Sequence, residues 1–177
     1  MLLLVRHAMP LIDPAADPAA WPLSAAGVTA ARALAGVIPA GALLVASDEP
    51  KAGQTLDPDG SRPVRRDRRL GEVRRSEAFS DDFRLARRSY VSGSEITGWE
   101  PREQVALRFG AAVRDAAAHA RALSRDAVIC SHGLAMTVWL SEAVFLGDPG
   151  EFWAQLRFPD LLAVDLAARS MRRLETS

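Results

Sequence analysis

The sequence predicts an α/β domain, a three-layer αβα sandwich around a largely parallel central sheet. Three observations point there. The runs "MLLLV", "ALLVA" and "DAVIC" are short and continuously apolar, as buried parallel strands are. Stretches with helical periodicity separate them. Each run stops at polar residues: Arg6-His7, Ser47 to Lys51, and Ser131-His132. Ligands of parallel sheets bind at such C-terminal strand ends.

The first run gives a strand ending near Arg6 and His7. The Pro- and Asp-rich "MPLIDPAADPAAWPL" that follows is unsuited to helix. Ser24 is a good N-cap for a helix from Ala25 to Ile38, stopped by Pro39 and Gly41. "ALLVAS" is a second strand, and Pro50 suits the first turn of a helix over "PKAGQTL". "DPDGSRP" is a turn, and "VRRDRRLGEV" has room for a short strand and a loop. "SEAFSDDFRLARRSYV" reads as helix, and a long Ala-rich helix runs from about Pro101 to Ser124. "DAVICSH" is a strand and "LAMTVWLSEAVFL" a helix. "LLAVDLA" and "SMRRLE" form a terminal hairpin or two neighbouring strands.

Composition narrows the class. A chain of 177 residues, 49% hydrophobic, fits one domain over 1–177, with a helical segment at about 73–98 expected to cap the pocket. The 22 basic and 22 acidic residues cancel, so no global field selects nucleic acid or a membrane surface. "MLLLV" is too short for a signal-peptide core or a membrane span. The single cysteine, Cys130, excludes an intrachain disulfide framework and fits a reducing cytoplasm. The arginine-rich stretch from Arg62 to Arg88 reads as solvated surface interleaved with acids, and the four tryptophans as packing residues. The oligomeric state is left open.

The candidate chemistry lies at the strand ends. If the strands ending at His7 and His132 are neighbours, both imidazoles converge with Arg6 and with Lys51, the only lysine of the chain. The third histidine, His119, belongs to the long helix and gets no role. Such a cationic pocket, with a nucleophile of near-neutral pKa, suits a phosphoryl group. Transfer to imidazole needs positive charge around the equatorial oxygens and an acid for the leaving oxygen. The usual acid is a carboxyl of raised pKa, and "LGEV" supplies Glu72.

"LLLVRHAMP" resembles the Arg-His-Gly motif that opens the histidine phosphatase superfamily, also called phosphoglycerate mutase-like. "WPLSAAG", "SDEPKAGQT", "RLGE", "GWE" and "VICSHG" are similar to its later motifs, in family order, from Leu2 to about Gly133. The resemblance implies a phosphoglycerate mutase-like fold, a metal-independent hydrolysis of phosphomonoesters, no cofactor, and a small phosphorylated substrate as partner, with no nucleic acid and no membrane. It implies that His7 is the nucleophile, that Arg6, Lys51 and His132 bind the phosphate, that His132 stabilises the transferring group, and that Glu72 is acid and then base. Lys51 stands where the family has arginine, Ala8 where it has glycine, and the Thr and Asn that usually follow the opening motif are missing from "MPLIDP". Two alternatives stay open at this stage: a mutase-like phosphotransferase, and a non-catalytic protein that binds phosphate ligands.

Overall fold

The computed structural model describes residues 1–76 and 84–175. Six strands form one sheet: β1 (Leu2–Arg6), β2 (Leu43–Ala46), β3 (Val64–Arg66), β4 (Ala127–Ser131), β5 (Asp160–Asp165) and β6 (Ser170–Leu174). Their order is β3-β2-β4-β1-β5-β6. The first four of that order run parallel, and β5 pairs antiparallel with both β1 and β6. The closing segments are therefore a hairpin appended to a parallel sheet.

The alternation of side chains along each strand divides the core in two. Leu3 and Val5 of β1 face one side with Leu44, Val128 and Cys130. They pack against Leu34 of helix α1 (Ala25–Ala35) and Leu56 of helix α2 (Pro50–Leu56). Leu2 and Leu4 face the other side and meet α3 (Arg84–Val91), α4 (Arg102–Ala122), α5 (Gly133–Ala143) and α6 (Pro149–Ala154). That is the three-layer sandwich expected. Strands covered on both faces have no use for polar positions, which is why their sequences read as unbroken apolar runs.

Local chemistry sets the helix ends. The Ser24 side chain accepts from the Gly27 amide and opens α1, which stops at Ala35, three residues before the predicted end, where Gly36 caps it. Pro50 opens α2 and Pro101 caps α4. Between Met9 and Leu23 the described helix is one 3-10 turn, Pro18–Ala20. The helix predicted from Ser76 begins at Arg84 in the described residues, and its 77–83 portion lies outside them. Helix α6 has no counterpart in the sequence reading, although Asp148 caps it and Pro149 starts it. Among the described residues no helix is long and apolar enough to cross a membrane.

Candidate active site

The decisive placement comes from strand pairing. β1 and β4 are adjacent and parallel, with Arg6 opposite Ser131, and the His7 amide donates to the Ser131 carbonyl at 3.0 Å. His7 and His132 thus leave the sheet side by side. Their ring centroids are 5.0 Å apart and both residues are buried. The expected convergence holds.

The neighbours of His7 fix its tautomer and its charge. Its Nδ1 lies 2.7 Å from the Ala8 carbonyl, which only accepts, so the proton sits on Nδ1 and Nε2 keeps its lone pair. Burial first, then His132, Lys51 and Arg6, hold the ring well below its ordinary pKa against the opposing Ala8 bond. His7 is therefore neutral at physiological pH. Thr55 on α2 fixes the next peptide: its hydroxyl accepts from the Ala8 amide at 2.9 Å and donates to the Lys51 carbonyl at 2.7 Å. Ala8, in the motif's glycine position, packs on Leu23 and Ala31.

Arg6 lies beside the pair. One terminal nitrogen donates to the Leu156 carbonyl at 2.8 Å, and the guanidinium stands 3.5 Å over the Phe158 ring. Phe158 also touches His7, with ring centroids 5.4 Å apart. Burial lowers the Arg6 pKa to about 10 while Glu72 and Asp160 oppose the shift, so it remains charged. Among the described residues, only three buried side-chain polar atoms lack a partner: Arg6 Nε, His132 Nδ1 and Arg102 Nε. Two of the three belong to this site, and unpaired buried polar groups are costly unless a ligand completes them.

His132 caps the start of α5 through its backbone. Its Nε2 lies 2.7 Å from the Ser47 hydroxyl and 3.1 Å from Glu49 Oε1. Burial, helped by Lys51, Arg6 and Arg108 and opposed by Glu72, lowers its pKa to about 3. The free protein holds it neutral.

Lys51 is buried, and its ammonium is engaged: it pairs with Glu49 Oε2 and donates to the Pro18 carbonyl at 2.7 Å. Glu49 Oε1 also accepts from the Glu72 amide at 2.9 Å. Glu49 is a site residue that the sequence reading missed. Its one sequence signal was an acid two positions before the lone lysine. Burial raises its pKa, with Lys51 pulling the other way.

Glu72 departs from the expected raised-pKa acid. Its Oε1 accepts from the amides of Val73 and Ala135, both at 2.9 Å, and Oε2 from Leu134 at 3.2 Å. It caps α5 from a neighbouring loop. Burial alone would raise its pKa, but His132, Arg75 and the amides outweigh that and hold it at about 2. The loop bearing Glu72 is clamped in turn by Arg108 of α4, which donates to the carbonyls of Arg69, Gly71 and Glu72 at 2.7, 2.8 and 3.1 Å. Arg108 is balanced by Glu100, of the "GWE" motif, at 2.8 Å. Glu100 thus supports the site from behind. His119 lies exposed on α4, away from this chemistry.

A hollow of about 1250 Å³ opens at the opposite end of the strands, lined by Met1, Ala42, Arg125 and Met171 among others. It contains none of the groups just described.

No family model matches the chain, and no curated protein matches it. Solved structures do. A mycobacterial glucosyl-3-phosphoglycerate phosphatase in complex with inorganic phosphate superposes with a TM-score of 0.71 at 22% identity, covering 99% of this chain and 96% of that one. A structure described as mycobacterial hydrolase 1 gives 0.70 at 21% identity over 99% and 98%. A Thermus thermophilus protein gives 0.64 at 24% over 98% of both chains. These likenesses show the fold: the phosphoglycerate mutase-like fold that the motifs implied.

Proposed function

We propose, on the fold shared with the glucosyl-3-phosphoglycerate phosphatase, that the protein hydrolyses phosphomonoesters through a phosphohistidine on His7. The carrying observation is the buried imidazole pair, 5.0 Å apart, beside the unpartnered Arg6 Nε and His132 Nδ1. In the first half-reaction the His7 Nε2 lone pair attacks phosphorus while the bond to the ester oxygen breaks. Arg6 compensates charge on the equatorial oxygens, and Lys51 adds a nearby positive charge. His132 Nδ1 supplies the proton to the leaving oxygen. A substrate monoanion delivers that proton to His132 on binding, since a phosphate monoester titrates near neutrality. In the second half-reaction His132 Nδ1 takes a proton from water, the oxygen attacks phosphorus, and the electron pair returns to His7 Nε2.

Glu72, held ionised by three amides, acts in this reading as the anchor of α5 rather than as the acid. Of the 73–98 segment expected to cap the pocket, 77–83 lie outside the described residues; we assign the described parts, 73–76 and 84–98, to the cap, supported by Arg87 of α3, close enough to Arg6 to press its pKa down. The lone buried thiol of Cys130 suits a reducing compartment, and we place the protein in the cytoplasm.

The test is covalent labelling. Radiolabelled p-nitrophenyl phosphate, quenched in alkali, is expected to leave an acid-labile, base-stable label on the wild type and none on His7→Ala. Absence of label together with no phosphate release from a broad set of phosphomonoesters would overturn the proposal. Isomerisation without phosphate release would replace it with a mutase.

A further inference from the structure

Glu49 has no role assigned by sequence within the "SDEPKAGQT" segment, yet its carboxylate reaches Lys51, the Glu72 amide and His132. Lys51 Nζ and the Glu72 amide are unambiguous donors, one to each oxygen. Both oxygens are thus accepting, and a lone pair on His132 Nε2, 3.1 Å from Oε1, would face a carboxylate; a proton there avoids that repulsion and is accepted by the Ser47 hydroxyl at 2.7 Å. That places hydrogen on His132 Nε2 and leaves Nδ1 as the buried atom without a partner. The order is carboxylate, imidazole, then an open ring nitrogen, with the acid behind the ring and the transferring group in front of it.

Resting on the phosphatase reading above, we propose that Glu49 is a positioning residue that fixes the His132 tautomer and stabilises the His132 imidazolium during phosphoryl transfer. The argument is electrostatic. In the free protein His132 faces Lys51 of α2 and Arg6 and His7 at the end of β1, with Arg108 of α4 beyond and Glu72 opposing them, and it stays neutral. A phosphomonoester monoanion entering beside Arg6 and Lys51 brings negative charge into that surrounding and a proton to share. The Nδ1 site takes the proton that the substrate gives up, and the resulting charge is shared with Nε2, 3.1 Å from Glu49 Oε1. A proton so held is ready for the leaving oxygen.

The pairing also explains the lone ammonium. Lys51 sits behind Glu49 and favours its ionised form against burial. A longer, planar guanidinium would reach past the carboxylate to the phosphate itself.

The experiment uses ¹⁵N-histidine-labelled full-length protein with orthovanadate as the probe. In the wild type at pH 7.5, vanadate is expected to convert His132 from a neutral ring to one with both nitrogens protonated. In Glu49→Gln, vanadate is expected to bind while His132 stays neutral. The kcat for an alkyl phosphate should fall at least about tenfold in Glu49→Gln, with a smaller loss for p-nitrophenyl phosphate, whose leaving group needs no proton. A role confined to packing would lower both substrates equally and leave the vanadate-bound ring charged, which would refute the inference. The wild-type spectrum decides even if the variant does not fold, because a neutral His132 beside bound vanadate refutes it alone. Vanadate that fails to bind the wild type sinks the phosphatase reading as well.

Discussion

Glu72 Oε1 lies 2.9 Å from the amide of Ala135, so a loop carboxylate holds the first turn of the helix that begins right after His132. The His132 imidazole is thereby tied to an ion that must stay charged. Glu72→Gln keeps the shape but removes the charge and points an NH2 group at donors. With a folded pKa of about 2 against 4.5, the carboxylate's stabilisation is fully present above about pH 4.5 and is lost as pH falls through about 2. Allowing for its half-buried position, the variant should lose about 2 kcal/mol at pH 7. Urea unfolding at pH 7 and pH 3 checks this: the gap between wild type and variant should narrow at the lower pH.

How much of this was legible in the sequence depended on the kind of signal. β1 and β4 announced themselves because a strand buried on both faces is apolar throughout, and Arg6, His7 and His132 stood out as the polar residues ending those runs. The adjacency of the two strands was not written locally. It follows from the β3-β2-β4-β1 order, a property of the whole sheet. Glu72 was found by its motif, but its partners are backbone amides of Leu134 and Ala135, and amides leave no trace in a sequence. Glu49 and Arg108 were missed for a related reason: each acts on groups distant along the chain, and neither disturbs a periodicity. Helix α6 was missed although its cap was visible, because six residues are too few to show a period.

Lys51→Met should expose what the lone lysine does for the fold. The pair with Glu49 is buried, and removing one member leaves a carboxylate without its counter-charge, at a cost of about 3 kcal/mol. Glu49 already has a raised pKa, and losing Lys51 raises it further. A raised carboxyl is harmless below its unfolded pKa and destabilising as pH climbs through the folded one. Thermal denaturation across pH 4 to 8 should therefore show the deficit growing with pH. A pH-independent deficit would mean that Lys51 contributes by packing alone.

Arg108→Met tests the clamp on the Glu72 loop. The substitution strips a donor from the carbonyls of residues 69, 71 and 72 and leaves Glu100 with only the exposed Arg74. Breaking such a buried pair costs about 3–5 kcal/mol. Adding Glu100→Gln should restore part of that loss, so the double variant should be more stable than the sum of the single effects. Simple additivity in a double-mutant cycle would show that the two side chains are not energetically coupled.

Gly133→Ala separates the Arg6 role from stability. A Cβ on Gly133 would come within 3.2 Å of Arg6 Nε, 3.3 Å of its Cζ and 3.3 Å of Trp153 Nε1. All three belong to side chains able to shift by a few tenths of an ångström, and alanine favours the first turn of α5, so stability should change by less than about 1 kcal/mol. Arg6 Nε, however, is one of the unpartnered atoms assigned to the phosphate, and displacing it should weaken the competitive inhibition constant of inorganic phosphate about tenfold, equivalent to about 1.4 kcal/mol. Because the methyl touches the guanidinium and not the His7 ring, the fraction of protein that can be phosphorylated at saturating substrate should be preserved. Phosphate inhibition equal to the wild type's would detach Arg6 from the anion and leave its contact with Phe158 as a packing interaction.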